Sequence, residues 1–125
     1  MPRIVHIALK VEDLEMATRF YEDVFGFTQV KTTRTRGHVS RHMTDGNIDL
    51  ALMVYDSEDA PDAQLSGVGP RIHHWGIEVE DREGTIKKIE ANGGSIVSDR
   101  SEGALKFRAP DGNLAEIVGI GRYKQ

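Results

Sequence analysis

The chain is 125 residues long, enough for one hydrophobic core but not for two independent ones. Charged residues make up 29% and hydrophobic residues 38%, an ordinary globular balance, and a net charge of -4 without a basic stripe gives no general pull toward nucleic acid or an anionic membrane. The lack of cysteine excludes disulfides, thiolate metal sites and a cysteine nucleophile, while the lack of an N-terminal apolar signal or any run near ~18 apolar residues leads to the expectation of a cytoplasmic protein.

In chain order, residues 3–11 alternate. Ile7, Leu9 and Val11 share one face, His6, Ala8 and Lys10 the other, and this period of two predicts a strand. Asp13 is placed to cap a helix over 14–25, whose apolar positions Leu14, Ala17, Tyr21, Val24 and Phe25 fall on one side. Gly26 suits a left-handed stop. Three strands are expected next, over 27–34, 38–44 and 48–55, with turns at Gly37 and at Asp45-Gly46-Asn47. The basic residues Lys31, Arg34, Arg36 and Arg41 read as a solvated strand face. Residues 56–70 are polar with two prolines and two glycines, and read as a connector or equally as a flap over a site.

The same order then recurs. Residues 71–79 form a predicted strand, Asp81 caps a helix to about residue 92 with Ile86 and Ile89 inward, and Gly93-Gly94 ends it. Gly84 weakens that helix's first turn. Short strands are expected near 95–98, 104–108 and 113–120, and Gly121 to Gln125 reads as a frayed tail. The repeat is direct: the strand around His74 echoes the strand around His6, and Asp45-Gly46-Asn47-Ile48-Asp49-Leu50 returns as Asp111-Gly112-Asn113-Leu114-Ala115-Glu116. One domain is expected, with a first module over 1–55, a connector over 56–70 and a second module over 71–120.

Strand parity selects the side chains that can meet. The second helix must cover the more apolar face, Trp75, Ile77 and Val79, which turns Ile72, His74, Gly76 and Glu78 away from it. His6 turns inward by the same argument. Leu114, Glu116 and Val118 share a face, and the repeat gives Leu50 and Leu52 the corresponding places. His6, His74 and Glu116 are thus expected to converge on the inner side. Either histidine alone would more often be hydrogen-bonded or exposed than a ligand. A lone glutamate on an apolar strand, however, is costly unless paired or metal-bound, and two imidazoles with one carboxylate suit a divalent ion with open positions. His73 has the wrong parity and reads as structural or exposed, Lys10 and Glu78 as either cavity or rim groups; His38 and His42 share a strand face and read as strand-surface residues, with a cavity lining as the second reading.

These motifs resemble the vicinal oxygen chelate superfamily, the glyoxalase, bleomycin-resistance and dioxygenase group. The pieces are His6-x-Ala8-Leu9 leading to Asp13, Phe20-Tyr21-x-x-x-x-Gly26-Phe27, the His74 strand, and Ala109-Pro110-Asp111-Gly112-Asn113-Leu114-Ala115-Glu116. The resemblance implies an α+β fold in which two βαβββ modules form a cupped mixed sheet around a divalent metal ion (Fe, Mn, Ni or Zn). It implies a small-molecule substrate that chelates through two neighbouring oxygens. It also implies a homodimer, including an arrangement in which His6 of one chain meets His74 and Glu116 of the other. Leu50 stands where four-ligand glyoxalases and methylmalonyl-CoA epimerases have a polar ligand. Lys106 stands where extradiol dioxygenases have tyrosine, and Ala8 where manganese-dependent fosfomycin-resistance enzymes have threonine. The expected function is a metal-dependent enzyme of dioxygenase-like or lyase/isomerase chemistry. The alternatives are a non-catalytic binding or resistance protein on the same fold, and a purely structural dimer module.

Overall fold

A computed structural model describes residues 1–124. It contains β1 (Arg3–Lys10), α1 (Leu14–Phe25), β2 (Thr28–Thr35), β3 (His38–Thr44), β4 (Asp49–Tyr55), β5 (Arg71–Glu78), α2 (Arg82–Ala91), β6 (Ser95–Ile96), β7 (Leu105–Arg108) and β8 (Leu114–Val118). The strand–helix–three-strand order therefore occurs twice, as the repeat predicts. Both caps form as read: Asp13 accepts from the Met16 amide and Asp81 from the Gly84 amide. Gly84 has a reason to be there, since a Cβ on it would fall 2.2 Å from the capping carboxylate. No helix among the described residues is long and apolar enough to cross a membrane.

All eight strands join one mixed sheet in the order β2-β3-β4-β1-β5-β8-β7-β6. The centre is the antiparallel pair β1 and β5, and each takes a parallel neighbour from its own half, β4 and β8. The α+β cupped-sheet expectation is met within a single chain. α2 packs Ile86 against Val79, Leu105 and Ile117 on the outer side of the sheet.

The strand alternation needs two corrections. First, β5 carries a bulge: Ala8 pairs with His74 but Leu9 pairs with Ile72, leaving His73 as the extra residue. Its counterpart Val5 is the extra residue in β1. The bulge turns Ile72 to the outer face, against alternation, while Trp75 stays on that face as alternation predicts but is only partly covered. Second, β4 is shifted by one position relative to the hairpin alignment. Ala8 pairs with Ala51 while Gly76 pairs with Glu116, so Ala51, not Leu50, mirrors Glu116. Asp49, Ala51, Met53 and Tyr55 face inward, and Leu50 and Leu52 face out.

The 56–70 segment is neither a loose connector nor a free flap. The Lys10 ammonium, buried beneath it, donates to the carbonyls of Ala63 (2.7 Å) and Gly67 (3.1 Å) and to the Glu58 carboxylate (2.8 Å). Lys10 is thus a clasp and not a catalytic group. Glu78 likewise serves structure, accepting from the Gly121 amide and pairing with Arg3. Replacing Lys10 with Met leaves two buried carbonyls unsatisfied, and the expected loss is on the order of 2–3 kcal/mol in urea unfolding; an unchanged midpoint would contradict the clasp.

Candidate metal centre

The inner face of the sheet encloses a cavity of about 540 Å³. His6 enters it from β1, His74 from β5 and Glu116 from β8, and all three are buried. One ligand atom from each lies within 4.8 Å of the others. His6 Nε2 is 3.2 Å from His74 Nε2, His74 Nε2 is 2.8 Å from Glu116 Oε1, and His6 Nε2 is 3.9 Å from Glu116 Oε2. Three donors each about 2.1 Å from a shared ion would stand roughly 3 Å apart. The three residues singled out in the sequence are brought together within one chain.

Hydrogen bonding fixes which nitrogen faces inward. His6 Nδ1 lies 2.6 Å from Asp49 Oδ2, and a carboxylate held ionised can only accept. Burial pushes the Asp49 pKa up, but bonds from His42 and His6 outweigh it and hold it below the usual carboxylate range. His6 therefore donates from Nδ1 and presents a lone pair at Nε2. For His74 the control runs through His73. His73 Nε2 lies 2.7 Å from the Asp62 carbonyl, which also only accepts. Desolvation by burial lowers the His73 pKa to about 4, so at neutral pH its single proton sits on Nε2 and its Nδ1 is an acceptor. His74 Nδ1, 2.7 Å away, must then donate, which again leaves Nε2 bare.

Glu116 completes the set. Its Oε1 lies 2.8 Å from the inward-facing His74 Nε2; burial pushes its pKa up, yet that contact and the Lys106 ammonium hold it below the usual carboxylate range. Its Oε2 accepts from the Tyr123 hydroxyl at 2.7 Å. Two imidazole lone pairs and an ionised carboxylate oxygen thus point at one spot. Such a group of acceptors repels itself in a low-dielectric interior unless a cation sits among them. The donor types and spacing fit a divalent first-row ion, which His6, His74 and Glu116 could hold.

Several residues fall differently from their sequence reading. His73 is buried behind His74, brought to the same side by the bulge that simple alternation ignores. His38 and His42 line the cavity, the less favoured of their two readings. His42 Nδ1 bonds both oxygens of Asp49, while the buried His38 Nδ1 has no hydrogen-bond partner among the described residues. The basic cluster divides: Lys31 and Arg36 reach the cavity, Arg34 pairs with Asp56, and Arg41 pairs with Glu15 on α1. Tyr123 belongs to the segment read as a frayed tail; it enters the cavity and stacks on His6 (Gln125 of that segment lies outside the described residues). Asp49 and Tyr123 are the two site residues the sequence reading missed. Asp49 becomes visible only when the two hairpins are aligned with a one-residue offset, and Tyr123 has no periodic signal at all.

With the geometry in place, comparison with known proteins assigns the lineage. The family model for the Glyoxalase/Bleomycin resistance protein/Dioxygenase superfamily matches residues 3–117. The chain belongs to that superfamily. Lactoylglutathione lyase of Haemophilus influenzae is 29% identical, over 93% of this chain and 91% of its own length. Among solved structures, methylmalonyl-CoA epimerase of Mycobacterium tuberculosis superposes with a TM-score of 0.74 at 22% identity, covering 93% of this chain and 86% of that one. A hypothetical protein of Bacillus halodurans does so with a TM-score of 0.82 at 20% identity, covering 99% and 98%. At those identities the structural matches speak for the fold. At the position mirroring Glu116, Ala51 offers no donor atom.

Gly76 is a steric gauge of this site. A Cβ there would lie 3.0 Å from His6 Cβ and 3.3 Å from Glu116 Cγ, so both side chains must move to admit a methyl group. Gly76→Ala is expected to cost about 1–3 kcal/mol of stability in the metal-free protein by urea unfolding; a cost near zero would mean the packing between these two residues is looser than described.

Proposed function

We propose that this protein is a divalent-metal-dependent enzyme acting on a small substrate that binds through two adjacent oxygens. His6, His74 and Glu116 hold the ion, which when bound supplies positive charge to stabilise negative charge developing on the substrate oxygens. The observation that carries the reading is the hydrogen-bond wiring of the three donors, each aimed inward by a partner: Asp49 for His6, His73 for His74 and Tyr123 for Glu116. The protein's own contribution is to orient these groups, to keep bulk water from a cavity floor built of Ala8, Ala51 and Met53, and to hold the substrate among polar walls. Lys31, Arg36, Lys106 and Arg122 line those walls. Asp62 and Glu102 pair with Arg36, and Asp62 also lies 4.0 Å from Lys106, so part of that positive charge is already balanced within the wall.

Lyase or isomerase chemistry is the favoured class, supported by the named activities of the relatives. Reaction with dioxygen is the second reading, favoured by one observation: with Ala51 in the mirrored position, three protein donors leave half of an octahedral shell open. The non-catalytic alternative predicts an apolar cavity, and the charged lining and buried carboxylate weigh against it. Metal analysis tests the proposal. Protein purified without added metal should carry about one ion per chain, and His6→Ala or Glu116→Gln should carry far less. A wild type with less than about half an ion per chain, unchanged by adding Mn, Fe, Co, Ni or Zn, would contradict it.

The same reading includes a cytoplasmic homodimer. Ile4, Ile72 and Trp75 on the outer face of the two central strands form an exposed apolar stripe of the sort that self-association covers. Light scattering at micromolar concentration should return about twice the chain mass; a monomer mass would remove that part of the reading.

A further inference from the structure

We infer that the segment following β8 is part of the metal centre, with Tyr123 as the positioning residue that holds Glu116 to one-oxygen ligation and seats the His6 ring. The inference rests on the metal reading above, and its test separates the two.

After Val118 the chain turns back over the cavity. The Arg122 amide bonds the Gly119 carbonyl, and the Gly121 amide bonds the Glu78 carboxylate. Gly121 has φ +83°, a left-handed conformation that lets the chain reverse there. The reversal delivers Tyr123 between two of the three donors. Its ring lies 4.3 Å from the His6 ring at an interplanar angle of 7°, a face-to-face stack. Its hydroxyl donates to Glu116 Oε2, while Glu116 Oε1 is the oxygen 2.8 Å from His74 Nε2.

The two contacts do different work. His6 is already fixed along one edge by Asp49 at Nδ1; the stack prevents the ring from tilting about that bond. The hydroxyl occupies the Glu116 oxygen that would otherwise swing in as a second donor. In a six-coordinate ion, three single donors leave three positions, whereas a bidentate glutamate leaves two. A substrate chelating through two oxygens would fill both and leave none. Tyr123 thus keeps a third position available, the role that a fourth protein ligand would have closed and that Ala51 leaves open.

The test uses the full-length chain with Tyr123→Phe, which keeps the ring, and Tyr123→Leu, which removes it. Co(II) is the probe, titrated by calorimetry and followed by its visible absorption. Tyr123→Phe should bind Co(II) about ten-fold more weakly, with an altered spectrum, and Tyr123→Leu more weakly still. In the metal-free protein, the His6 ring resonances should sit upfield in wild type and Tyr123→Phe, and lose that ring-current shift in Tyr123→Leu. Both metal-free variants should still unfold in a single cooperative transition, which separates a loss of Co(II) affinity from a loss of the fold. Co(II) affinities within about two-fold of wild type with an unchanged spectrum would overturn the inference. If the wild type binds no Co(II), the metal reading fails by itself. The NMR arm then still decides the placement of Tyr123, because His6 resonances at the same position in wild type and Tyr123→Leu would refute it.

Discussion

The structure depends on the antiparallel pairing of β1 with β5. His6 pairs with Gly76 and Ala8 with His74, so the two central strands meet in a register that maps onto itself when the halves are exchanged. That self-matching register sets the histidines side by side at the floor of one cavity. It also requires glycine at position 76, because His6 and Glu116 occupy the space where its side chain would project. The parallel partners β4 and β8 then extend the sheet from each edge of the central pair and curl it into a cup. The residue immediately before each histidine is a bulge, Val5 in one strand and His73 in the other. Bulges increase local twist and re-aim side chains, which is what a site built on two flat strands would lack.

The departure from symmetry carries the chemistry. One half contributes a histidine and a glutamate; the other contributes a histidine and, at the glutamate's mirror position, alanine. The acid of the first half stands two residues earlier in its strand, at Asp49, where it reaches the far nitrogen of His6 instead of the centre. A carboxylate that is a donor in one half has become, in the other, a support for a donor. Asp49 also fastens His42, so the first half supplies a rigid polar wall where the second supplies charge. The connector joins in through Asp62, whose carbonyl sets the proton on His73 and whose carboxylate meets Arg36. A segment with little regular structure thereby determines which nitrogen of His74 faces the cavity.

Much of this was legible in the sequence. Helix limits were readable because Asp13, Asp81 and Gly26 are local devices whose effect does not depend on the rest of the chain. The convergence of His6, His74 and Glu116 was readable because a repeat converts sequence position into spatial position. What escaped is tertiary. Parity reasoning assumes an uninterrupted two-residue period, and the bulge at His73 breaks it, hiding the contact with His74 and reversing Ile72. Hairpin similarity fixed the alignment of β4 one residue away from its true register, which misplaced Leu50 and concealed Asp49. His38 and His42 were discounted because nothing local marks which face of an edge hairpin a curled sheet will enclose. Tyr123 was unreadable, since an aromatic residue in a polar tail carries no periodic signal and its contacts with His6 and Glu116 are made only by the folded chain.

The central claim is that one cation binds where these three donors meet. A crystal grown with Co(II), with diffraction data collected on both sides of the cobalt absorption edge, tests it most directly. The account predicts a single anomalous peak about 2.1 Å from His6 Nε2, His74 Nε2 and one Glu116 oxygen, with the other oxygen still bonded to Tyr123. A peak elsewhere, or fully ordered His6, His74 and Glu116 side chains with no peak between them, would contradict it.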